Sequence, residues 1–417
     1  MGKKKKGKEK KKKKIKGMRA GVVKNVKKEE TQVERYAPTE VAEEINAWWS
    51  EFEALKGDNK VTFLYDTFAR EERVEFWEEL ELFDAVDTTF NYLASKGRLE
   101  EGITLIETFK ERKPAQYMAD YIYYDYYLLH YYAPRGERER IKEIMAHFKV
   151  DPERGIDHIE VALVIFRVYG MAEETCQLSR WAYQTLKDSD EVMPWGIIEL
   201  HQRATFCAIR DYITSPHYGE AEAEQAFSQA VEALELEEEE EEEEFGEEIV
   251  ERAMDDERLW KTVKTLRGEL RRDWKREDFI ISHPDYADNI YFFIVEFIRY
   301  LHTEKSFEWV TGDLFFEVVM EYFYDVPEQG GEFYFCFSKE YLDEYLGHYL
   351  SVFSIKDAKG MIILKALDYF AAFTHQRGIF TDDELKEVKS AIEEFRAQQR
   401  EIGKELAWKY RFLERFV

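Results

Sequence analysis

The sequence predicts an all-α fold: helical hairpins stacked as an α-solenoid, with a second helical layer or domain after them. Three observations predict it. Apolar residues recur at helical spacing through most of the chain. No Asn-Gly or Asp-Gly hairpin turn occurs in the 417 residues. Helical segments meet at turns near Gly97, Gly136 and Gly170, which are 39 and 34 residues apart. A helix–turn–helix unit of that length cannot bury its own apolar face, so neighbouring units must stack.

Residues 1–35 read as a disordered basic tail. Met1 to Lys28 carries fourteen Lys, one Arg and one Glu, a net of +14, and too little apolar surface to offset the entropy of ordering. Taking +14 from the whole chain's −27 leaves −41 on the rest, so a short cationic tail precedes a strongly anionic body. Residues 36–236 read as the helical repeat domain. Within it, Asp151-Pro152-Glu153 looks like an N-cap, a proline at the first helical position and an acid in the first turn. Residues 237–248 form an acidic linker, part of a stretch from Glu235 with eleven Glu in fourteen residues. Charge this dense does not pack into a core. The run reads either as a solvated linker or as an acidic arm that competes with polyanions for the lysine tail. Residues 249–417 read as a C-terminal helical domain. Ile290, Ile294, Phe297, Ile298 and Leu301 trace one helix face, and Phe315, Phe316, Val319, Met320 and Phe323 trace another. Residues 331–337 alternate aromatics and fit either a strand or an irregular link. Thr381 and Glu384 have capping-box spacing.

The unit from Val86 to Pro114 resembles a tetratricopeptide-type repeat. Lys96 to Ile103 looks like that family's turn into its second helix, with Gly102 at its small-residue position, Ile106 at its large apolar position and Pro114 at its closing proline. A second unit turns at Gly170 and carries Ala182, and a third has Ala226, Ala230 and Ala233 at the family's spacing. The resemblance covers roughly Leu82–Leu236 and lies in rhythm more than in signature. It implies a surface that binds peptide or protein segments, and no catalysis.

The residues that could carry chemistry are sparse. Cys176, Cys207 and Cys336 have no C-x-x-C spacing, and three cysteines exclude a disulfide-built scaffold. There is no H-E-x-x-H, P-loop, G-x-G-x-x-G or G-x-S-x-G motif. Glu143/His147 and Glu344/His348 are i,i+4 pairs that two at a time would make a metal site, and read otherwise as ordinary pairs. No catalytic residue, metal or cofactor is therefore expected. Eight tyrosines fall in the sixteen residues from Tyr117 to Tyr132. Tyr117, Tyr121 and Tyr124 trace one face, and Tyr123, Tyr127 and Tyr131 a neighbouring one. The first face is either an aromatic contact surface for bases or peptides, or a helix buried between repeat layers.

The expected function is a non-catalytic protein-interaction scaffold whose partner is a protein or peptide segment. The alternative is a nucleic-acid- or ribosome-associated accessory factor. Its contacts to RNA or DNA would run through Lys3, Lys4, Lys5, Lys6, Lys8, Lys10, Lys11, Lys12, Lys13 and Lys14. The longest apolar runs, such as Val161–Phe166, stop far short of the roughly 20 residues of a membrane helix, and no signal peptide is read. A cytoplasmic location is expected.

Overall fold

A computed structural model describes residues 39–71, 74–234, 256–270, 273–325, 332–350, 357–402, 408–409 and 411–416. The Lys3–Lys14 tail and the Glu237–Glu244 run lie outside the described residues. The described chain is all-α and divides into two compact units, one ending at Leu82 and the other starting at Phe83.

The first unit holds α1 (Thr39–Ala54), α2 (Asp58–Ala69) and α3 (Val74–Glu79). Trp48 stacks on Phe52 with ring centroids 5.5 Å apart, and its indole N–H donates to Thr67 Oγ1 at 3.1 Å. Phe63, Phe68, Phe76 and Trp77 complete this small core.

The second unit opens with α4 (Phe83–Ser95), α5 (Leu99–Arg112), α6 (Pro114–Ala119), α7 (Tyr121–Tyr132), α8 (Arg138–His147), α9 (Ile156–Val168), α10 (Ala172–Leu186), α11 (Pro194–Thr214) and α12 (Ala221–Glu232). It continues with α13 (Asp256–Arg267), α14 (Tyr286–Lys305), α15 (Trp309–Asp325), α16 (Lys339–Tyr349), α17 (Asp357–Gln376) and α18 (Asp382–Ile402). Helices pack mainly on their sequence neighbours, as in a solenoid: α4 on α5, α7 on α8, α10 on α11, α14 on α15, α17 on α18. The second layer is visible in α15, which also packs on α9, α10 and α11, and in α17, which reaches α9. Phe206, Ile209, Tyr212 and Phe227 share a core with Leu259, Val263, Leu266 and Val295, so residues on either side of the acidic run are packed together.

The predicted turns are present, with Gly97, Gly136 and Gly170 at φ of 72°, 66° and 67°, the left-handed conformation in which side chains are strained. Gly102 is buried, and a Cβ there would lie 2.9 Å from a ring carbon of Phe90, so its lack of a side chain sets the approach of α4 to α5. The Ile290–Leu301 face is buried, as are Phe315, Val319, Met320 and Phe323, with Phe316 half-buried. The capping box of α18 forms: Thr381 N–H donates to Glu384 Oε2 at 2.8 Å, and Glu384 N–H to Thr381 Oγ1 at 3.3 Å.

One local expectation resolves differently, and one open alternative is decided. Asp151 does not start a helix at Pro152. Its carboxylate accepts from the Arg154 N–H at 3.2 Å and closes a turn, and α9 begins only at Ile156, after Gly155. Within 331–337, the described residues form an irregular link with one isolated antiparallel bridge between Ile280 and Phe333. Among the described residues there is no strand, and no helix is long and apolar enough to cross a membrane.

Candidate functional site

The tyrosine-rich helix α7 is aromatic on every side, so more than one neighbour covers it. The helix read across 117–132 breaks at Asp120, so Tyr117 belongs to α6 and Tyr121 and Tyr124 to α7; all three are buried, at 0%, 2% and 0% exposure, and are not offered to a ligand. Tyr117 and Tyr124 stack at 5.3 Å, and Phe109 of α5 meets Tyr124 edge-on at 5.3 Å. Tyr117 donates its hydroxyl to Asp125, and His147 Nδ1 lies 2.8 Å from the other oxygen of that carboxylate. Burial pushes Asp125 up, while the bonds from His147 and Tyr117 pull it back. Burial and the Asp125 charge both raise Tyr117. His147 is thus engaged by Asp125, and Glu143 by Arg140 at 3.1 Å.

The adjoining face of α7 meets a distant part of the chain. Tyr127 and His130, with Phe90 of α4, form an aromatic box around Trp408, and Tyr126 packs edge-on against His130 at 4.6 Å. The Trp408 ring lies 5.2 Å from Phe90, 6.0 Å from Tyr127 and 6.1 Å from His130, edge-on to the first and last. The box is braced from behind: Tyr127 donates to Asp87, which also accepts from Asn91 Nδ2 at 3.0 Å. Lys409 lies beside it, with Nζ 2.5 Å from Asp357 Oδ2 and 4.4 Å from the centre of the Tyr126 ring. Tyr126 donates to the same carboxylate at 3.4 Å. Burial lowers the Lys409 pKa, and Asp357 offsets part of that. Phe416 packs between Phe307 and Phe315 at 5.5 and 5.4 Å, and its carbonyl accepts from Lys365 at 3.1 Å and Tyr369 at 3.3 Å. The described residues 408–409 and 411–416 are therefore held as a strap by an aromatic anchor, a cation on a carboxylate, and a second aromatic anchor.

The helices under this strap are locked together by buried charge. Glu317 of α15 sits among Arg167 of α9 at 2.5 Å, Arg203 of α11 at 3.3 Å and Lys359 of α17. Arg167 also reaches Asp313 at 2.9 Å, Arg203 reaches Glu199 at 2.7 Å, and Lys359 reaches Glu321 at 2.6 Å. Tyr345 and Tyr349 of α16 donate to Glu321 at 3.0 and 3.1 Å. Burial opposes charge at Glu317, Lys359 and Arg203 and their partners overcome it, so Glu317 is held well below the usual carboxylate range, and Lys359 and Arg203 are raised. Such a network adds little net stability over an apolar core, but it fixes helix register, because any slip leaves a buried charge unpaired.

Among the described residues, no three His, Cys, Asp or Glu side chains gather as metal ligands. Cys176 and Cys207 are joined as a disulfide between α10 and α11, and Cys336 is exposed and free. The lysine residues expected to bind polyanions all lie outside the described set. Sequence reasoning left the Tyr117, Tyr121 and Tyr124 face open between a contact surface and a buried one, which it is, and did not find the strap. The signal was the alternation of aromatic and basic residues in Trp408-Lys409-Tyr410-Arg411. Comparison with family models, curated proteins and solved structures finds no match to the chain.

Proposed function

We propose that the protein is a non-catalytic interaction scaffold whose helical body takes an extended aromatic–basic peptide segment. In this reading, residues 408–416 hold that place when no partner does. The observation that carries it is the seating of Trp408 and Lys409 against Phe90, Tyr126, Tyr127, His130 and Asp357, a side-chain recognition pattern of the kind that binds peptides. The tetratricopeptide-like rhythm of the helices that build the box supports the same reading.

A tethered segment competes at an effective concentration on the order of millimolar. A free peptide of sequence 408–416 should therefore bind the Trp408→Ala chain more tightly than wild type, read by fluorescence anisotropy of the labelled peptide. Binding by neither chain, or equal binding by both, overturns the proposal. A second reading, an accessory factor held on nucleic acid by Lys3–Lys14, is favoured by the +14 charge of the first 28 residues.

A further inference from the structure

Of the nine tryptophans, all of them among the described residues, Trp195 alone is more than half exposed, at 54%. It stands in the first turn of α11, behind Met193 and Pro194, which are exposed with it. Met193 is 63% exposed, whereas Met171, in the same place before α10, is covered down to 5%. The link that leads into α11 lies beside the link between α8 and α9. Ser189 Oγ donates to Glu153 at 2.7 Å and accepts from the Glu191 N–H at 3.3 Å, which ties the two together. The second link presents another exposed apolar residue, Val150. A tryptophan and a methionine left in water forgo the burial that drives folding, and an apolar group of this kind within a polar rim marks an interaction surface. The rim here is acidic. Across 149–157 and 187–195, Asp151, Glu153, Asp157, Asp188, Asp190 and Glu191 are exposed, against only Lys149, Arg154 and Lys187. Two of those cations are engaged by the protein itself: Lys149 Nζ lies 5.7 Å from the centre of the Trp181 ring, and Arg154 donates to the Ala119 carbonyl at 2.9 Å. Asp188, Asp190 and Glu191 form no ion pair with any described residue.

We infer that this edge docks a partner protein through a basic segment that carries a bulky apolar anchor. The anchor packs on Trp195 and Met193, and flanking lysines or arginines face Asp188, Asp190 and Glu191. Charge selects this occupant. A second copy would bring the same acidic rim against itself, and an anionic lipid surface would be repelled. Tryptophan and methionine suit the centre of such a contact, because one supplies a large rigid face and the other adapts to what meets it. The surface is separate from the Trp408 box and does not rest on the reading of that box.

The test is fluorescence anisotropy of a labelled lysine–leucine peptide on the full chain, beside lysine–serine and glutamate–leucine peptides of equal length. The lysine–leucine peptide should bind, and Trp195→Ala should weaken it about tenfold, the loss of an aromatic anchor at the centre of a contact. Asp188→Lys combined with Asp190→Lys should also weaken it and flatten its dependence on salt, whereas Trp195→Ala leaves the salt dependence as it is. Circular dichroism checks that each variant is folded. Failure of the lysine–leucine peptide to bind wild type, or equal affinity in Trp195→Ala, overturns the inference. So does a lysine–serine or glutamate–leucine peptide that binds as well, because the surface would then read charge or apolar area alone. A wild-type dimer in sedimentation equilibrium that Trp195→Ala takes apart also overturns it, since the edge would then be a contact between copies.

Discussion

Asp313 shows how a buried network makes stability depend on pH. Burial pushes its carboxyl from the ordinary 3.8 up to about 6, with Arg167 pulling against the shift and Glu317 adding to it. Between those values the folded chain keeps a proton that the unfolded chain has lost, so this group's contribution falls as pH rises through that window and is level above it. Glu317 works in the opposite sense: its pKa is depressed, so its contribution is present above 4.5 and is lost as pH falls through its folded value. Asp313→Asn carries no titrating proton. Its stability relative to wild type should rise from pH 4 to pH 6 and then hold, measured by urea unfolding at several pH values; a difference flat in pH would contradict this. None of this is visible in sequence, because Arg167, Arg203, Glu317 and Lys359 meet only through packing of four helices. Gly97, Gly136 and Gly170 were legible for the opposite reason. A left-handed backbone is a local demand that glycine answers by itself.

The pair α10 and α11 is joined by Cys176–Cys207, which closes a separation of 31 residues beneath Val310. Constraining a loop of that length in the unfolded chain stabilises by about 3–4 kcal/mol. Reduction, or Cys207→Ala, should lower the unfolding free energy by about that amount, compared in urea with and without reductant. An unchanged midpoint would show that the bridge does not form in solution. The spacing of these cysteines matched no redox or metal motif, and only the antiparallel hairpin brings them together. Other elements divide in the same way. The apolar faces of α14 and α15 could be read because their periodicity is strong and local. Across α6 and α7, aromatic residues at every register give periodicity nothing to choose between, so Tyr117, Tyr121 and Tyr124 looked as available as Tyr126 and Tyr127. The start of α9 was misplaced because Asp151 serves a turn as well as it serves a cap.

For the chain as a whole, charge separates the N-terminal segment from the rest. Its +14 against −41 predicts weak, sequence-independent binding to RNA or DNA. Affinity for duplex DNA should fall with salt at a log–log slope of about −0.9 per phosphate contacted, and deletion of residues 2–28 should abolish it. Filter binding across a salt series checks both, and full affinity in the deleted chain would move any nucleic-acid role to the body. The strap and its box could not be read beforehand because some 280 residues separate Tyr126 from Trp408. That same non-local wiring reaches α9, whose residues Ile159–Val168 are buried without a break between α7, α10, α15 and α17. A ribosome working at roughly 5–20 residues per second needs on the order of ten seconds or more to pass from Val168 to Trp309. Through that interval the nascent chain carries ten apolar or internally charged residues with half of their covering not yet made. Truncated chains ending before α15 should therefore be captured by chaperones or aggregate, and the protein's yield in a cell is set by translation speed as well as by the stability of its finished fold.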